Sequence, residues 1–253
     1  MLCEAVGIAR PAVLFVISAA TSLPLLDLDD SLQTGFWVSE FITPYDVLVA
    51  EGFAVEIATP GGIRPCPDPA SLGSADKSFE YLSRLGSIPG FLTPRNLDTL
   101  DNSFIAALLG VVMPGGYAPM ADLISSQSLG RVLRSMNGFG RPIAAICHAP
   151  AALLAAREPG RPWIFEGFNM AVFTNSEENE WLGERRRLLR WTAEDALTAA
   201  GAFCHPGANW TSNVIQDRHL LTGQNSASCA EFSHQLLVML HSCKSHAPLL
   251  PST

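Results

Sequence analysis

At 253 residues the chain has room for one large domain or two small ones, and 48% apolar against 16% charged residues describes a compact globular protein, not a disordered one. A net charge of −8 argues against a general nucleic-acid partner or an acidic membrane surface, and no stretch is long and apolar enough to span a bilayer. Six cysteines, at 3, 66, 147, 204, 229 and 243, show neither CxxC nor zinc spacing, so they read as free thiols in a reducing, cytoplasmic setting, with no metal site expected.

The run Ala12 to Ala20 imitates a signal-peptide core, but Glu4 before it and Pro11 on its flank favour a first buried strand over Val13 to Ile17. A loop rich in Asp, Leu and Ser follows to Gly35. Ser39 has the chemistry of an N-cap, predicting a helix over Glu40 to Ala50 with Pro44 near its first turn and Gly52 closing it. Phe53 to Ala58 then reads as a second strand ended by Pro60-Gly61-Gly62, which completes a strand–helix–strand unit of a parallel sheet.

Residues 64 to 97 carry five prolines and no clear period, so this segment is read as a cap or lid insertion with a short helix around Phe79 to Leu85. Regularity returns at Phe104 to Leu109. Gly110 to Met113 is a strand running into Pro114-Gly115-Gly116, and Leu123 to Met136 is helical. Ile143 to Ile146 is a short apolar strand that stops at Cys147-His148, with Ala149 to Ala156 as a helix whose first turn tolerates Pro150. Beyond it, Met170 to Phe173 reads as a strand and Ala193 to Ala200 as a helix closed by Gly201. Asn213 to Gln216 and His219 to Thr222 pair around an Asp-Arg turn, Ala227 to His241 forms the last helix, and a loose tail starts near Lys244. Arg185-Arg186-Arg187 beside Glu180 and Glu184 reads as a solvated helix face. The alternation predicts one α/β domain with a doubly wound, mostly parallel sheet and helices on both faces, where sites lie at the carboxyl ends of the strands.

Four strand ends carry chemistry under that rule. Cys147 sits where a strand turns into a helix, the position of a nucleophile elbow, and unpaired backbone N–H groups at the helix start favour the reactive thiolate. Glu40 starts the helix after the first strand, Gly115-Gly116 ends another strand, and Glu177-Glu178 follows a fourth. Taken singly, each has a bland explanation: a buried structural thiol, a solvated carboxylate, a plain turn, a helix start. Together they have the composition of a Cys-His-acid site with a backbone oxyanion cradle.

VVMPGGYAPMADL at 111–123 and AAICHAPAAL at 144–153 resemble the paired motifs of the ThiJ/PfpI superfamily, also described as class I glutamine amidotransferase-like. The stretch 35–62, PCPDPAS at 65–71, FTNSEE at 173–178 and LLTGQNSASCAEF at 220–232 are similar to its glyoxalase III and heat-shock chaperone branch. The resemblance implies a flavodoxin-like core, a homodimer, no cofactor, and a nucleophile at Cys147. It places the acidic partner at Glu40, the triad histidine at His148, and the third member at Glu178, with Glu177 as the alternative one residue away. The oxyanion donors fall on the N–H groups of Gly116 and His148, with Gly115 and Tyr117 in the substrate pocket.

The branch usually reads PGGHG and CHGP where this chain has Pro114-Gly115-Gly116-Tyr117-Ala118 and Cys147-His148-Ala149-Pro150, which implies an altered pocket around Tyr117. The chain lacks the late His-x-Glu of glutaminases, which argues against ammonia release from glutamine. Glutathione-independent conversion of a 2-oxoaldehyde to a 2-hydroxy acid is the activity implied. The alternatives are hydration, isomerisation or hydrolysis of a larger metabolite at the same site, or a redox-sensing, chaperone-like stress protein without turnover.

Overall fold

The computed structural model describes residues 12–27 and 29–246. In chain order the elements are β1 (Ala12–Val16), β2 (Ser22–Pro24), β3 (Ser31–Gln33), α1 (Val38–Ala50), β4 (Ala54–Thr59), α2 (Ala75–Ser87), β5 (Arg95–Asn96), α3 (Asn102–Ala107), β6 (Leu108–Met113), α4 (Gln127–Gly138) and β7 (Ile143–Ile146). After a 3₁₀ helix over Ala149–Ala156 come β8 (Asn169–Met170), α5 (Asn175–Leu182), α6 (Ala193–Ala199), β9 (Phe203–Cys204), β10 (Val214–Asp217), β11 (Leu220–Gly223) and α7 (Cys229–His246).

Seven strands form the central sheet in the order β10-β11-β7-β6-β1-β4-β5, parallel throughout except for the β10–β11 hairpin at one edge. The chain winds outward from β1 through β4 to β5, then returns across β1 to lay down β6, β7 and β11. The reversal therefore falls between β1 and β6, and the crevice at their carboxyl ends is where a doubly wound sheet accepts ligands.

Strand β1 shows why both faces must be covered. All five of its residues are buried, yet they alternate between two cores. Val13 and Phe15 point with Ile17 into the core shared with α1 and α7, whereas Ala12, Leu14 and Val16 point into the core shared with α3, α4 and the 3₁₀ helix. A strand sandwiched this way reads as a continuous apolar run, as it does in the sequence. The first core holds an aromatic cluster beneath α1. Phe15 meets Phe41 edge-on at 5.4 Å, Phe36 meets Phe41 at 5.8 Å, and Phe91 stacks on Phe41 at 5.8 Å. Each such pair contributes about 0.5–1.5 kcal/mol beyond the area it buries, and here the cluster fixes the helix that carries Glu40.

Local chemistry accounts for most departures from expectation. Helix α1 begins at Val38 after Trp37, with no side-chain cap from Ser39. Pro44 consequently lies inside the helix, where it withholds the usual bond to the Glu40 carbonyl. Helix α4 starts at Gln127, not Leu123, because the Ser126 hydroxyl accepts the Leu129 N–H as an N-cap. The loop before Gly35 contains the β2–β3 hairpin. The segment after Ile146 winds as a 3₁₀ helix in place of an α-helix. Met170 to Phe173 is strand only at Met170, which with Asn169 pairs with β9. Residues 64–97 hold α2, longer than expected, and β5, which adds to the sheet beside β4. Leu85 of α2 and Phe91 are buried against the α1 core, so this segment packs as part of the fold. Helix α7 continues to His246; Cys3, Glu4, Arg10 and the tail beyond His246 lie outside the described residues. Among the described residues no helix is long and apolar enough to cross a membrane, and no group of three His, Cys, Asp or Glu is placed to hold a metal ion.

Candidate active site

Cys147 lies at the tip of β7 with φ +65, in the left-handed region that side-chain-bearing residues rarely occupy. Its backbone is pinned on both sides: its N–H donates to the Gly223 carbonyl at 2.8 Å, and its carbonyl accepts the Phe173 N–H at 3.0 Å. The strained elbow and the paired strands thus hold the sulfur at one point. Glycine is required opposite it. A Cβ on Gly115 would come within 2.6 Å of the Ile146 carbonyl, 2.7 Å of Cys147 Cβ and 2.8 Å of Glu40 Oε2, and one on Gly116 (φ +86) would come within 2.2 Å of the Gly35 carbonyl. The Pro-Gly-Gly turn is therefore a close approach of three backbones around the thiol, beyond a simple strand end.

Three of the four predicted side chains form a relay. Cys147 Sγ is 3.2 Å from His148 Nδ1, and His148 Nε2 is 2.7 Å from Glu178 Oε1. A carboxylate on Nε2 selects the tautomer protonated there, which leaves the Nδ1 lone pair facing the thiol. The imidazole is fixed between two rings: Phe173 stacks on it at 4.3 Å and Tyr117 tilts over it at 4.1 Å. Tyr117 also donates its hydroxyl to Glu178 Oε2 at 2.5 Å. Its ring lines the pocket, while its hydroxyl is spent on the carboxylate, and burial together with Glu178 pushes its ionisation up.

Glu40 faces the sulfur from α1. It is fully buried, and its Oε2 accepts the Gly115 N–H at 2.9 Å. Its Oε1 has no hydrogen-bond partner in the protein although the residue lines the pocket. Burial raises its pKa to about 8, against opposing pulls from the Gly115 N–H and Cys147. The Cys147 thiol is also pushed up, first by burial and then by Glu40, while the N–H groups of Gly116 and His148 pull it back. The sequence argument for a thiolate rests on the N–H groups at the helix start and misses desolvation and the neighbouring carboxyl, which dominate. Both shifts favour the uncharged forms of the thiol and of the carboxyl.

Between the adjacent glutamates, geometry assigns separate jobs. Glu178 meets His148. Glu177 closes a capping box with Thr174 at the start of α5, and its Oε1 accepts the Trp210 N–H at 2.9 Å and Asn225 Nδ2 at 2.7 Å. Of the 64–97 segment expected to cap the site, no residue lines the cavity; its upper wall comes instead from Trp37, Trp181 and Trp210. Those three rings, and Asn225, escaped the reading of the sequence. They come from separate segments, and no motif spacing links them.

Comparison with known proteins fits this arrangement. Residues 31–161, more than half of the chain, match the sequence pattern of the DJ-1/PfpI family. The chain belongs to the DJ-1/PfpI family. Among DJ-1/PfpI relatives, the Bos taurus glutamine amidotransferase-like class 1 domain-containing protein 1 is 29% identical over 236 residues, spanning 93% of this chain and 97% of the bovine protein. The protein/nucleic acid deglycase HchA of Staphylococcus aureus is 28% identical over 230 residues, covering 85% of this chain and 75% of the deglycase. The crystal structure of glyoxalase III from Candida albicans superposes with a TM-score of 0.73 over 90% of this chain and 97% of that one, at 18% identity, a likeness of fold. Within this DJ-1/PfpI fold, all the predicted site residues, Glu40, Gly115, Gly116, Tyr117, Cys147, His148 and Glu178, meet at the carboxyl ends of β6 and β7.

Proposed function

We propose that the protein is a cofactor-free, cysteine-dependent enzyme that converts a 2-oxoaldehyde to a 2-hydroxy acid. The observation that carries this reading is Glu40: a fully buried carboxyl with one unpartnered oxygen, a pKa raised to about 8, and the Cys147 thiol as its neighbour. A carboxyl tuned near neutrality both removes and returns a proton, which is what an internal redistribution of hydrogen between two substrate carbons needs. Reactive-carbonyl enzymes among the relatives support the same chemistry.

Each step balances in atoms and charge. As Cys147 Sγ bonds to the aldehyde carbon, its proton passes to His148 Nδ1, and the carbonyl oxygen is stabilised by the N–H groups of Gly116 and His148. His148, held by Glu178, then protonates that oxygen to give a hemithioacetal. Glu40 takes the hydrogen of the former aldehyde carbon, forming an enediol(ate), and returns it to the neighbouring carbon, while the hydroxyl proton on the former aldehyde oxygen passes to the oxygen of that neighbouring carbon. The product is a thioester of the 2-hydroxy acid, which water cleaves to restore the thiol. The net change is addition of one water, with no external oxidant or reductant. The test is consumption of methylglyoxal and phenylglyoxal and appearance of the matching hydroxy acids without glutathione. Loss of both activities in Cys147→Ala is expected; wild-type protein that forms neither acid rules the reaction out.

A further inference from the structure

The floor of the cavity is polar and most of its wall is aromatic, with Asn225 and Ser226 also lining it. Trp37 before α1, Phe173 after β8, Trp181 in α5 and Trp210 before β10 enclose the space above Cys147. They brace one another: Trp37 meets Trp181 at 6.0 Å, Trp181 meets Trp210 at 6.2 Å, and Phe173 meets Trp210 at 5.7 Å. Trp210 holds a left-handed backbone, φ +58, with its indole N–H donating to Glu180 Oε2 at 2.5 Å and its backbone N–H donating to Glu177. The loop is thus built to present this ring at a stated place. Trp181 and Trp210 are 48% and 43% exposed, so the wall includes large apolar surface left open to solvent.

Size and charge narrow what fills it. The cavity measures about 140 Å³, and an apolar cavity of about 150 Å³ holds one benzene-sized molecule. A methyl substituent would leave most of that space empty, and packing forfeited on one side of each ring is affinity lost. No lysine or arginine is among the described residues lining the cavity, and its floor carries the Glu40 carboxyl, so an anionic substituent has no counter-charge. Arg185 lines a second hollow that uses Trp37, Tyr117 and Trp181 as a shared wall.

We propose that the substrate class is an uncharged aryl-substituted 2-oxoaldehyde, its ring seated among Trp37, Phe173, Trp181 and Trp210 and its aldehyde carbon at Cys147. This deepens the reading above and rests on it. The overall change is addition of water to the aryl 2-oxoaldehyde to give an aryl 2-hydroxy acid, with the thiol regenerated. Offset and edge contacts from the indoles discriminate an aryl from a methyl group in both the bound and the reacting state.

Two measurements on the full chain separate the substrate class from the reaction. One compares kcat/KM for phenylglyoxal and methylglyoxal. The other compares Cys147 alkylation by 2-bromoacetophenone and bromoacetone, each rate divided by that of glutathione with the same reagent. Both are repeated in Trp210→Ala and Trp181→Ala. An aryl preference of at least about tenfold in each measurement, shrinking to within about threefold in either variant, is expected. If turnover favours methylglyoxal, or is equal, and alkylation shows no aryl preference, the substrate class is overturned while the reaction stands. If neither oxoaldehyde turns over but the tryptophan-dependent alkylation preference is present, the aryl site stands and the reaction falls. Absence of both overturns both.

Discussion

The cavity is made of two unlike regions. Its floor, Glu40, Cys147 and His148 with Glu178 behind the imidazole, is almost completely buried, and every polar side-chain atom there has a partner except Glu40 Oε1. Its wall, with Trp181 and Trp210, is about half exposed and held by ring edges and by hydrogen bonds to Glu177 and Glu180. Desolvation gives the floor its chemistry, since burial is what raises Glu40 and Cys147. The wall has no titrating group to offer the reaction and can act only on which substituent enters. On the proposed function, reaction type and substrate choice lie in separate parts of this chain, and they should be separable by mutation.

The largest effects belong to the floor. Cys147→Ala should lower turnover by about a thousandfold or more with an unchanged melting temperature, measured by hydroxy-acid formation and thermal unfolding. Tyr117→Phe removes one hydrogen bond to a buried carboxylate, a change of about 1.5–3 kcal/mol. It should reduce kcat roughly tenfold or more and shift the pH profile, with KM nearly constant; a change confined to KM would place the hydroxyl on the substrate instead.

A smaller effect isolates the wall. Glu177→Gln puts an amide donor among the N–H groups of Thr174, Trp210 and Asn225 and should cost about 1–3 kcal/mol of stability. It should erode aryl preference while alkylation of Cys147 by bromoacetone persists. If Glu177→Gln instead abolishes reactivity at Cys147, the two regions are not separable.

A further effect is one of pH. Burial raises the folded-state pKa of Glu40 from the ordinary 4.5 to about 8. The fold thus favours its protonated form, and this contribution is complete below pH 4.5 and lost as pH rises through 8. Wild-type protein should therefore lose melting temperature relative to Glu40→Gln between pH 5 and pH 9. A constant gap across that range contradicts a raised Glu40.

The floor was legible in the sequence for a physical reason. Its residues sit at fixed offsets from strand ends, in PGG, CHAP and NSEE, because an elbow and a close backbone approach demand glycine and small residues at particular positions. Choosing between Glu177 and Glu178 needed the structure: both lie in the first turn of α5, and only the helix's rotation aims one at His148 and the other at Trp210. The wall was illegible because Trp37, Trp181 and Trp210 are brought together by tertiary folding from three separate segments, Trp37 lying more than a hundred residues before the other two. The prolines of residues 64–97 suggest a cap or lid insertion, and Asp68, Leu85 and Phe91 tie the segment to the body of the fold beside α1 and β4.

The most direct test of the account is hydroxy-acid formation from phenylglyoxal by wild-type protein and by Glu40→Gln, with Cys147 alkylation followed in parallel. The variant is expected to keep its fold, to remain labelled at Cys147, and to form roughly 1% or less of the wild-type product. Product formation by Glu40→Gln at the wild-type rate would contradict it.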